Sequence, residues 1–502
     1  MVAAPRIRAH ITIDGMKIAE SAEDTTDVVA LGGFTITWGR RGIYAETDSA
    51  QASVSLMAPD ASYLGSSNIF GRELVIYRSA NFYAKDKIIF RGTINRIDLR
   101  PHKLLPGQVW IADITANDIL SDLASTTVRG RYFVVPTDIF DLVETRYKTQ
   151  EVIQGGSPQV VLWYTMTPDG VRPQHYSVIQ QLQNSGLISA FNGVWDTPDN
   201  ASEATYGSYL LADYVGSDLQ ALDMWTKSAK LRPLGHVTWD HETRTLGVGT
   251  HSTASPLKLA ITTGGVVKIQ STAGSVVPAS TVSVSSNPTA TMTLAQGITA
   301  LEIPVYARKQ EQVIREGASN PPSNSDVRWT YVSTQQSTTV VPVPGAASNR
   351  RNPLVIDAHI AWITTRFYLA ADRIASTWMP LVTAINGLST HPPVIFDLEK
   401  HAYPTDLEEQ LLTLKTAADP IFFSGGQFNA VPTMSLWNQI IGGTITYKKG
   451  FKAEVTLAPA IPAAATQITL ATLSAHPTAT LDDFDPSITL TDLALISQGL
   501  PA

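Results

Sequence analysis

Between Ile88 and Ser125 the hydrophobic pattern changes period from two to 3.6, so a sheet must hand the chain directly to a helix here. Alternation places Ile88, Phe90, Gly92, Ile94 and Arg96 on one strand face, with Arg91, Thr93 and Asn95 on the other. Gly92 lacks a side chain, which lets a neighbouring strand or aromatic ring come close. Pro101, Pro106 and Gly107 turn the chain, and a second strand rich in β-branched and aromatic residues runs from Val109 to Ile114. Thr115 then reads as an N-cap, Asp118 as the acidic arm of a capping box, and Ile119, Leu120 and Leu123 as the apolar stripe of a short helix. Asp118 and Asp122 lie four apart, the spacing of a catalytic carboxylate pair. An acid at the positive end of a helix is the simpler account of Asp118.

Short strands precede this stretch. Ile7 to Ile18 alternates around Asp14-Gly15 as a hairpin, and further strands contain Phe34, Ile36 and Trp38, then Ala52, Val54 and Leu56, then Leu74 to Tyr77. That density predicts a small barrel or sandwich. The middle of the chain is mixed. Helical spacing occurs over Asp138 to Tyr147, Tyr176 to Leu182 and, most clearly, Ser217 to Arg232, followed by a hairpin in GHVTWDHETRTLGVGT. His236, His241 and His251 near Asp240 and Glu242 invite a metal reading. Strand alternation separates His236 from His241, and the reading favoured is exposed hairpin histidines.

From Pro256 to Asn349 the Ser, Thr and Val content predicts strands near Val266–Ile269, Val282–Val284, Leu301–Tyr306 and Trp329–Val343, with an exposed loop over Gly317 to Asp326. Asn352 as N-cap and Pro353 at the first helical position predict a long helix over 353–379, striped by Ile356, Ile360, Ile363, Phe367, Ala370 and Ile374 and stopped by Pro380. Strands return after Val394, with a short helix at Thr405 to Leu414 and a hairpin, Gly443–Tyr447 and Phe451–Leu457, around Lys448-Lys449-Gly450. Beyond Pro459 an Ala-, Thr- and Pro-rich arm ends in LDDFDPSITLTDLALIS.

Several of these segments, in this order, resemble the baseplate or tail-tip hub proteins of bacteriophages. The residues that carry the resemblance are Phe90-Arg91-Gly92-Thr93-Ile94, the segment from Ile114 to Ala124, the HVTWD…LGVG order, the closing hairpin and the terminal DDFDPSITLTDLAL. The last is similar to the closing motif of minor tail proteins from siphophages of actinobacterial hosts. The resemblance implies a mainly β chain with an α+β middle: two small β-barrel hub domains, a mixed domain, one long helix and an extended C-terminal arm. Its divisions fall at 1–127, 128–255, 256–393, 394–459 and 460–502. It also implies a homotrimer whose barrels form a pseudo-sixfold ring at the tail tip of the virion, assembled after synthesis in the host cytoplasm. The implied partners are a distal tail protein, a tape measure protein and other tail-tip or fibre proteins, with DNA only in transit.

Composition bears on the alternatives. A chain of 502 residues suggests roughly three or four domains. Charged residues make up 16%, against about 25% in typical domains, which fits surface hidden in an assembly. A net charge of −7 argues against a general nucleic-acid binder, and the absence of cysteine excludes disulfides and thiolate metal sites. The start, MVAAPRIRAHITI, has no apolar signal region, and no run reaches the ~18 apolar residues of a membrane span, so no stable membrane binding is expected. No P-loop, GxSxG elbow, HExxH or dinucleotide fingerprint occurs. No enzymatic activity, cofactor or metal is expected. A tail-borne cell-wall hydrolase and a carbohydrate-binding adhesin stand as alternatives, the second suggested by ten tryptophans in a Thr-rich β background. The arm's apolar residues Phe484, Pro486, Ile488, Leu490 and Leu493 are the candidate partner-binding set, because each buried side chain gains ~1.5–3 kcal/mol.

Overall fold

The computed structural model describes residues 8–21, 29–58, 69–79, 86–103, 109–125, 127–128, 166–167, 170–171, 182–183, 186–192, 209–211, 219–230, 233–249, 257–261, 267–270, 276–278, 282–283, 297–314, 327–346, 351–358, 360–362, 367–388, 393–399, 411–412, 420–424 and 437–459. The fold is mainly β. Seven strands open it: β1 (Arg8–Ile13), β2 (Met16–Ser21), β3 (Ala30–Arg40), β4 (Thr47–Ala58), β5 (Glu73–Ser79), β6 (Lys87–Pro101) and β7 (Trp110–Asn117). The β1–β2 hairpin turns at Asp14-Gly15 as expected, both residues at positive φ (48° and 78°), which is what a tight two-residue turn demands. Hydrogen-bonded pairing runs β3-β2-β1-β5-β6-β7-β4, and β4 pairs again with β3. The β2–β3 step is short, Glu20 to Ala30 and Ser21 to Leu31.

Two bulges in β6 modify the expected faces. Phe90, Gly92 and Ile94 are buried together, and an added Cβ on Gly92 would meet the Phe90 ring and the Asn117 carbonyl. Ile89 is an extra residue opposite the Ile76/Tyr77 step and is also buried; Asn95 is extra opposite the Ala116/Thr115 step. Each slip moves side chains to the opposite face, so Arg96 is exposed rather than in line with Ile94.

The hand-over to the helix comes three residues later than Thr115. β7 continues to Asn117, with Thr115 paired to both Ser53 and Arg96, and helix α1 spans Ile119–Ser125. Asp118 is itself the cap, its Oδ1 accepting from the Leu120 N–H at 3.1 Å. Short strands follow: β8 (Thr127–Val128), β9 (Met166–Thr167), β10 (Gly170–Val171), β11 (Ala190–Asn192), β12 (Tyr209–Leu211) and β13 (Leu219–Gln220). Helix α2 covers Ala221–Ala229, shorter than Ser217–Arg232 because Leu219 and Gln220 pair with β8. The expected hairpin is β14 (His236–Asp240) with β15 (Thr245–Gly249). Ile119, Leu120, Leu123, Trp225, Val237, Trp239 and Leu246 make one buried cluster, so α1, α2 and this hairpin pack as a unit. The segment Asp138 to Tyr147, most of Tyr176 to Leu182 and the loop Gly317 to Asp326 lie outside the described residues.

Next come β16 (Leu257–Ile261), β17 (Val267–Gln270), β18 (Val276–Pro278), β19 (Val282–Ser283), β20 (Ala300–Ile314) and β21 (Val327–Pro342). The last two form a hairpin far longer than expected, paired from Ala300–Pro342 to Ile314–Val327. The long helix is corrected at both ends. Pro353–Val355 is strand β22 and Ile360–Trp362 is strand β23, both parallel to β20. Helix α3 starts only at Phe367, passes through Pro380 and ends at Ile385. Proline inside a helix costs about 3 kcal/mol. Here Ile374, Trp378, Val382 and Ile385 lie buried against Leu301, Ile303 and Val343 on either side of it, burial enough to outweigh that cost.

The chain closes with β24 (Val394–Asp397), β25 (Pro420–Ser424), β26 (Trp437–Tyr447) and β27 (Phe451–Pro459). Of the helix expected at Thr405 to Leu414, only Leu411 and Leu412 are described, and they are helical. The final sheet runs β18-β17-β16-β25-β26-β27-β24-β19, an open path among the described residues.

Candidate functional site

Two junctions hold the parts of the chain in register. The first is a seam between its ends. β3 pairs with β2 only through Ala30 and Leu31; from Phe34 to Gly39 the same strand pairs with Tyr447 to Gly442 of β26. Gly39 has φ of 99°, and a Cβ there would strike the Gly442 Cα and the Ile441 carbonyl, so backbone meets backbone with nothing between. At the other end of the seam three rings close it. Phe34 lies 5.2 Å from Tyr447 and 5.9 Å from Phe451 by centroid, and those two lie 4.8 Å apart. Their burial joins Ile11, Ile36, Val54, Ile76 and Ile114 to Phe396, Val455 and Leu457 in a single core.

The second junction fixes the helix–hairpin unit to the opening strands. The Arg91 guanidinium donates through Nη1 to both Glu73 carboxylate oxygens at 2.9 Å, and its Nε donates to the His241 carbonyl at 3.3 Å. His241 Nδ1 lies 3.1 Å from the Arg91 N–H and 3.2 Å from the Arg91 carbonyl, so the ring is held against this one backbone position. Phe90 stacks on this ring at 5.3 Å. Thr47 Oγ1 donates to the Val237 carbonyl at 2.6 Å, and Lys230 pairs with Glu46 at 2.9 Å. On the other flank Ser49 Oγ donates to Asp118 Oδ1 at 2.7 Å, and Thr93 Oγ1 reaches Asp122 Oδ2 at 3.4 Å.

Burial sets the charge states here. Desolvation pushes the Asp118 carboxyl up to about 7, against the opposing hydrogen bonds from Ser49 and the Ala50 and Leu120 backbone. Asp122, half-buried, is raised for the same reason. Desolvation lowers His241 to about 4, so the imidazole is neutral at pH 7.

These observations revise the candidates. His236 and His241 are buried rather than exposed, because the hairpin packs against the opening strands. His251 lies outside the described residues. Among the described residues no group of three His, Asp or Glu is placed to hold a metal ion. Asp118 and Asp122 serve as cap and neighbour at a packed junction, which matches the simpler reading of Asp118. Phe484, Pro486, Ile488, Leu490 and Leu493 lie outside the described residues. No local signal announces the Arg91–Glu73–His241 arrangement; the period-2 pattern places Arg91 away from the core face but carries no information on what covers that side.

No protein-family model matches the sequence, and no curated protein does. Solved structures do match. The tail protein from Neisseria meningitidis MC58 shares 10% identity over 90% of this chain and 96% of its own, with a TM-score of 0.44. The chain is similar to phage tail proteins. The 43 kDa tail protein of prophage MuSo2 from Shewanella oneidensis shares 10% identity over 90% of this chain and 98% of its own, TM-score 0.43. A component of the E. coli type VI secretion system, described as structurally similar to the T4 bacteriophage tail proteins gp27 and gp5, shares 8% identity over 90% of this chain and 77% of its own, TM-score 0.38. No helix among the described residues is long and apolar enough to cross a membrane.

Proposed function

We propose that this chain is a structural protein of a phage-type tail, and that it forms the hub ring at the tail tip. The observation that carries the reading is the β3–β26 seam. Strands from the opening and closing parts of the described chain share one sheet and one core, so they form a single block against which the helix–hairpin unit and the β20–β21 unit pack. A ring segment that bears load between a tube and a tip needs such a block. The motif order from Phe90 to the closing DDFDPSITLTDLAL supports it.

In this reading two barrel-like units per chain, one built on β1–β7 and one on β24 to β27, make a pseudo-sixfold ring from three copies. The ring joins a distal tail protein and a tape measure protein to the tip or fibre proteins in the virion. It acts by position rather than by catalysis. DNA passes through a lumen that is neutral or acidic, since three copies each carry −7 and a conduit must not hold phosphate. Sedimentation and native mass measurement test this directly. The expected species has three times the 54.2 kDa of one chain. A monomer at every concentration sinks the ring, and tight duplex binding at low salt sinks the passive conduit.

A further inference from the structure

Strand β5 stops before β6 does. β6 runs for 15 residues, Lys87–Pro101, and β5 pairs with it from Arg78 opposite Lys87 to Glu73 opposite Thr93. At the next residue the Ile94 N–H donates to the Arg72 carbonyl and the Gly71 N–H donates to the Ile94 carbonyl, both at 2.9 Å. Beyond that turn β6 continues from Asn95 to Pro101 with β7 on its other side. Among the described residues no strand fills the lane that β5 leaves. At about 3.3 Å per residue the open stretch is roughly 23 Å long.

The vacant lane leaves apolar surface uncovered. After the bulge at Asn95, Ile97 and Leu99 pair with Ile114 and Ala112 of β7, which belong to the main core, yet Leu99 is 42% exposed. Arg96, Asp98 and Arg100 alternate with them on the other face and are exposed. Charges on an edge commonly repel a second strand. Here each is neutralised within the molecule: Arg96 Nε lies 2.7 Å from Asp98 Oδ2, and Arg100 Nε lies 3.0 Å from Asp113 Oδ2.

The order of these residues is self-complementary. Laid antiparallel against a second copy with Leu99 opposite its own counterpart, Ile97-Asp98-Leu99-Arg100-Pro101 sets Asp98 opposite Arg100 twice. Centring on Asp98 instead would set Asp98 against Asp98 and Arg96 against Arg100, like charges that destabilise a strand pair. Centring on Ile97 would drive the second copy's Arg100 and Pro101 into the turn at Gly71, which already occupies the lane beside Ile94.

We propose that the Asn95–Pro101 edge of β6 is a self-association site at which two copies of this chain meet antiparallel across a twofold axis at Leu99. One strand pair is smaller than the roughly 1,200–2,000 Å² of a stable interface, so the contact forms only at high protein concentration. It is isologous, unlike the head-to-tail contacts that close a ring of three. The inference rests on the vacant lane, not on the tail assignment.

The chain has no cysteine, so Leu99→Cys places a single thiol at the axis. Oxidised in the full chain at high concentration, it should link copies in pairs, because directly opposed Cα atoms lie within the ~7 Å that a disulfide spans. Asn95→Cys is the control: in this register it faces Lys103 and lies roughly 27 Å from its counterpart, so it should stay reduced. Equal linking of both variants, or no linking of Leu99→Cys, overturns the proposal. Sedimentation velocity gives a second readout. Asp98→Arg and Arg100→Asp each set like charges opposite one another twice and should weaken self-association at least about fivefold. An equimolar mixture of the two variants sets opposite charges across the contact and should restore it. A wild-type chain that does not self-associate up to its solubility limit, or a mixture no stronger than its components, overturns the proposal.

Discussion

Asp118 and His241 sit on one junction and titrate over the same pH range with opposite effects on stability. Asp118 has its folded value raised from 3.8 to about 7. Its contribution is therefore full below pH 3.8 and is lost as pH rises through about 7. His241 is lowered from 6.5 to about 4, so its contribution is present above pH 6.5 and is lost as pH falls through about 4. At 1.36 kcal/mol per pKa unit the first is worth about 4 kcal/mol and the second about 3 kcal/mol. Between about pH 4 and 6.5 these two contributions nearly cancel, so the slope left in the wild-type chain comes from other groups, the raised Asp122 among them. Asp118→Asn separates them. Asn retains an oxygen for the Ser49 hydroxyl and the Leu120 N–H and is itself a favourable cap. The variant should match wild type near pH 4, exceed it by up to about 4 kcal/mol at pH 8, and gain about 3 kcal/mol as pH rises from 4 to 6.5. Urea unfolding at half-unit steps from pH 4 to 8, followed by Trp225 and Trp239 fluorescence, measures all three. Parallel wild-type and variant curves across that range would refute the reasoning.

Gly39→Val should lower the urea midpoint by the equivalent of ~3 kcal/mol or more, since a side chain at φ 99° is strained and would displace β26 from the seam. Trp225→Ala, at a fully buried position of the helix–hairpin cluster, should cost ~3–5 kcal/mol and reduce the near-UV circular dichroism of that unit. Arg40→Met should be neutral or stabilising by the same measurement. The Arg40 guanidinium is buried, its Nη1 donates to the Ile43 carbonyl at 3.0 Å, and its Nε and Nη2 meet no hydrogen-bond partner among the described residues. Burial alone pulls its pKa down to about 10, so removing the charge removes a desolvation cost.

Local chemistry in the sequence locates the hairpins well. Asp14-Gly15 marks a turn because few other residues take positive φ, and Gly450 leaves no room for a side chain against Glu399; β1–β2 and β26–β27 form there. The errors occur where distant strands decide. Pro353 and the Ile356, Ile360, Ile363 spacing suit a helix start, yet β20 offers Pro353–Val355 and Ile360–Trp362 a ladder that no local pattern announces. Pro380 is a stop signal overridden by packing on both sides of it. His241 sits in a polar turn and reads as exposed until Phe90 and Arg91, 150 residues earlier, are laid against it. The candidate junctions are wholly of this kind. Their residue types are visible in the sequence, but their partners are not.

The seam also sets a timetable for synthesis. Thr37 of β3 emerges from the ribosome about 400 residues before Thr444, the residue it pairs with. At about 5–20 residues per second the outer edge of β3 stays open for roughly 20–80 s, long after local hairpins have formed. During that interval the opening strands have their own core but an uncovered ladder, bordered by Phe34, Ile36 and Trp38. Nascent chains on one message, each with the same open edge, can pair with one another instead of with their own β26. Yield in cells should therefore fall more steeply with expression rate than with temperature, and supplying residues 437–459 early, as a separate peptide, should relieve it.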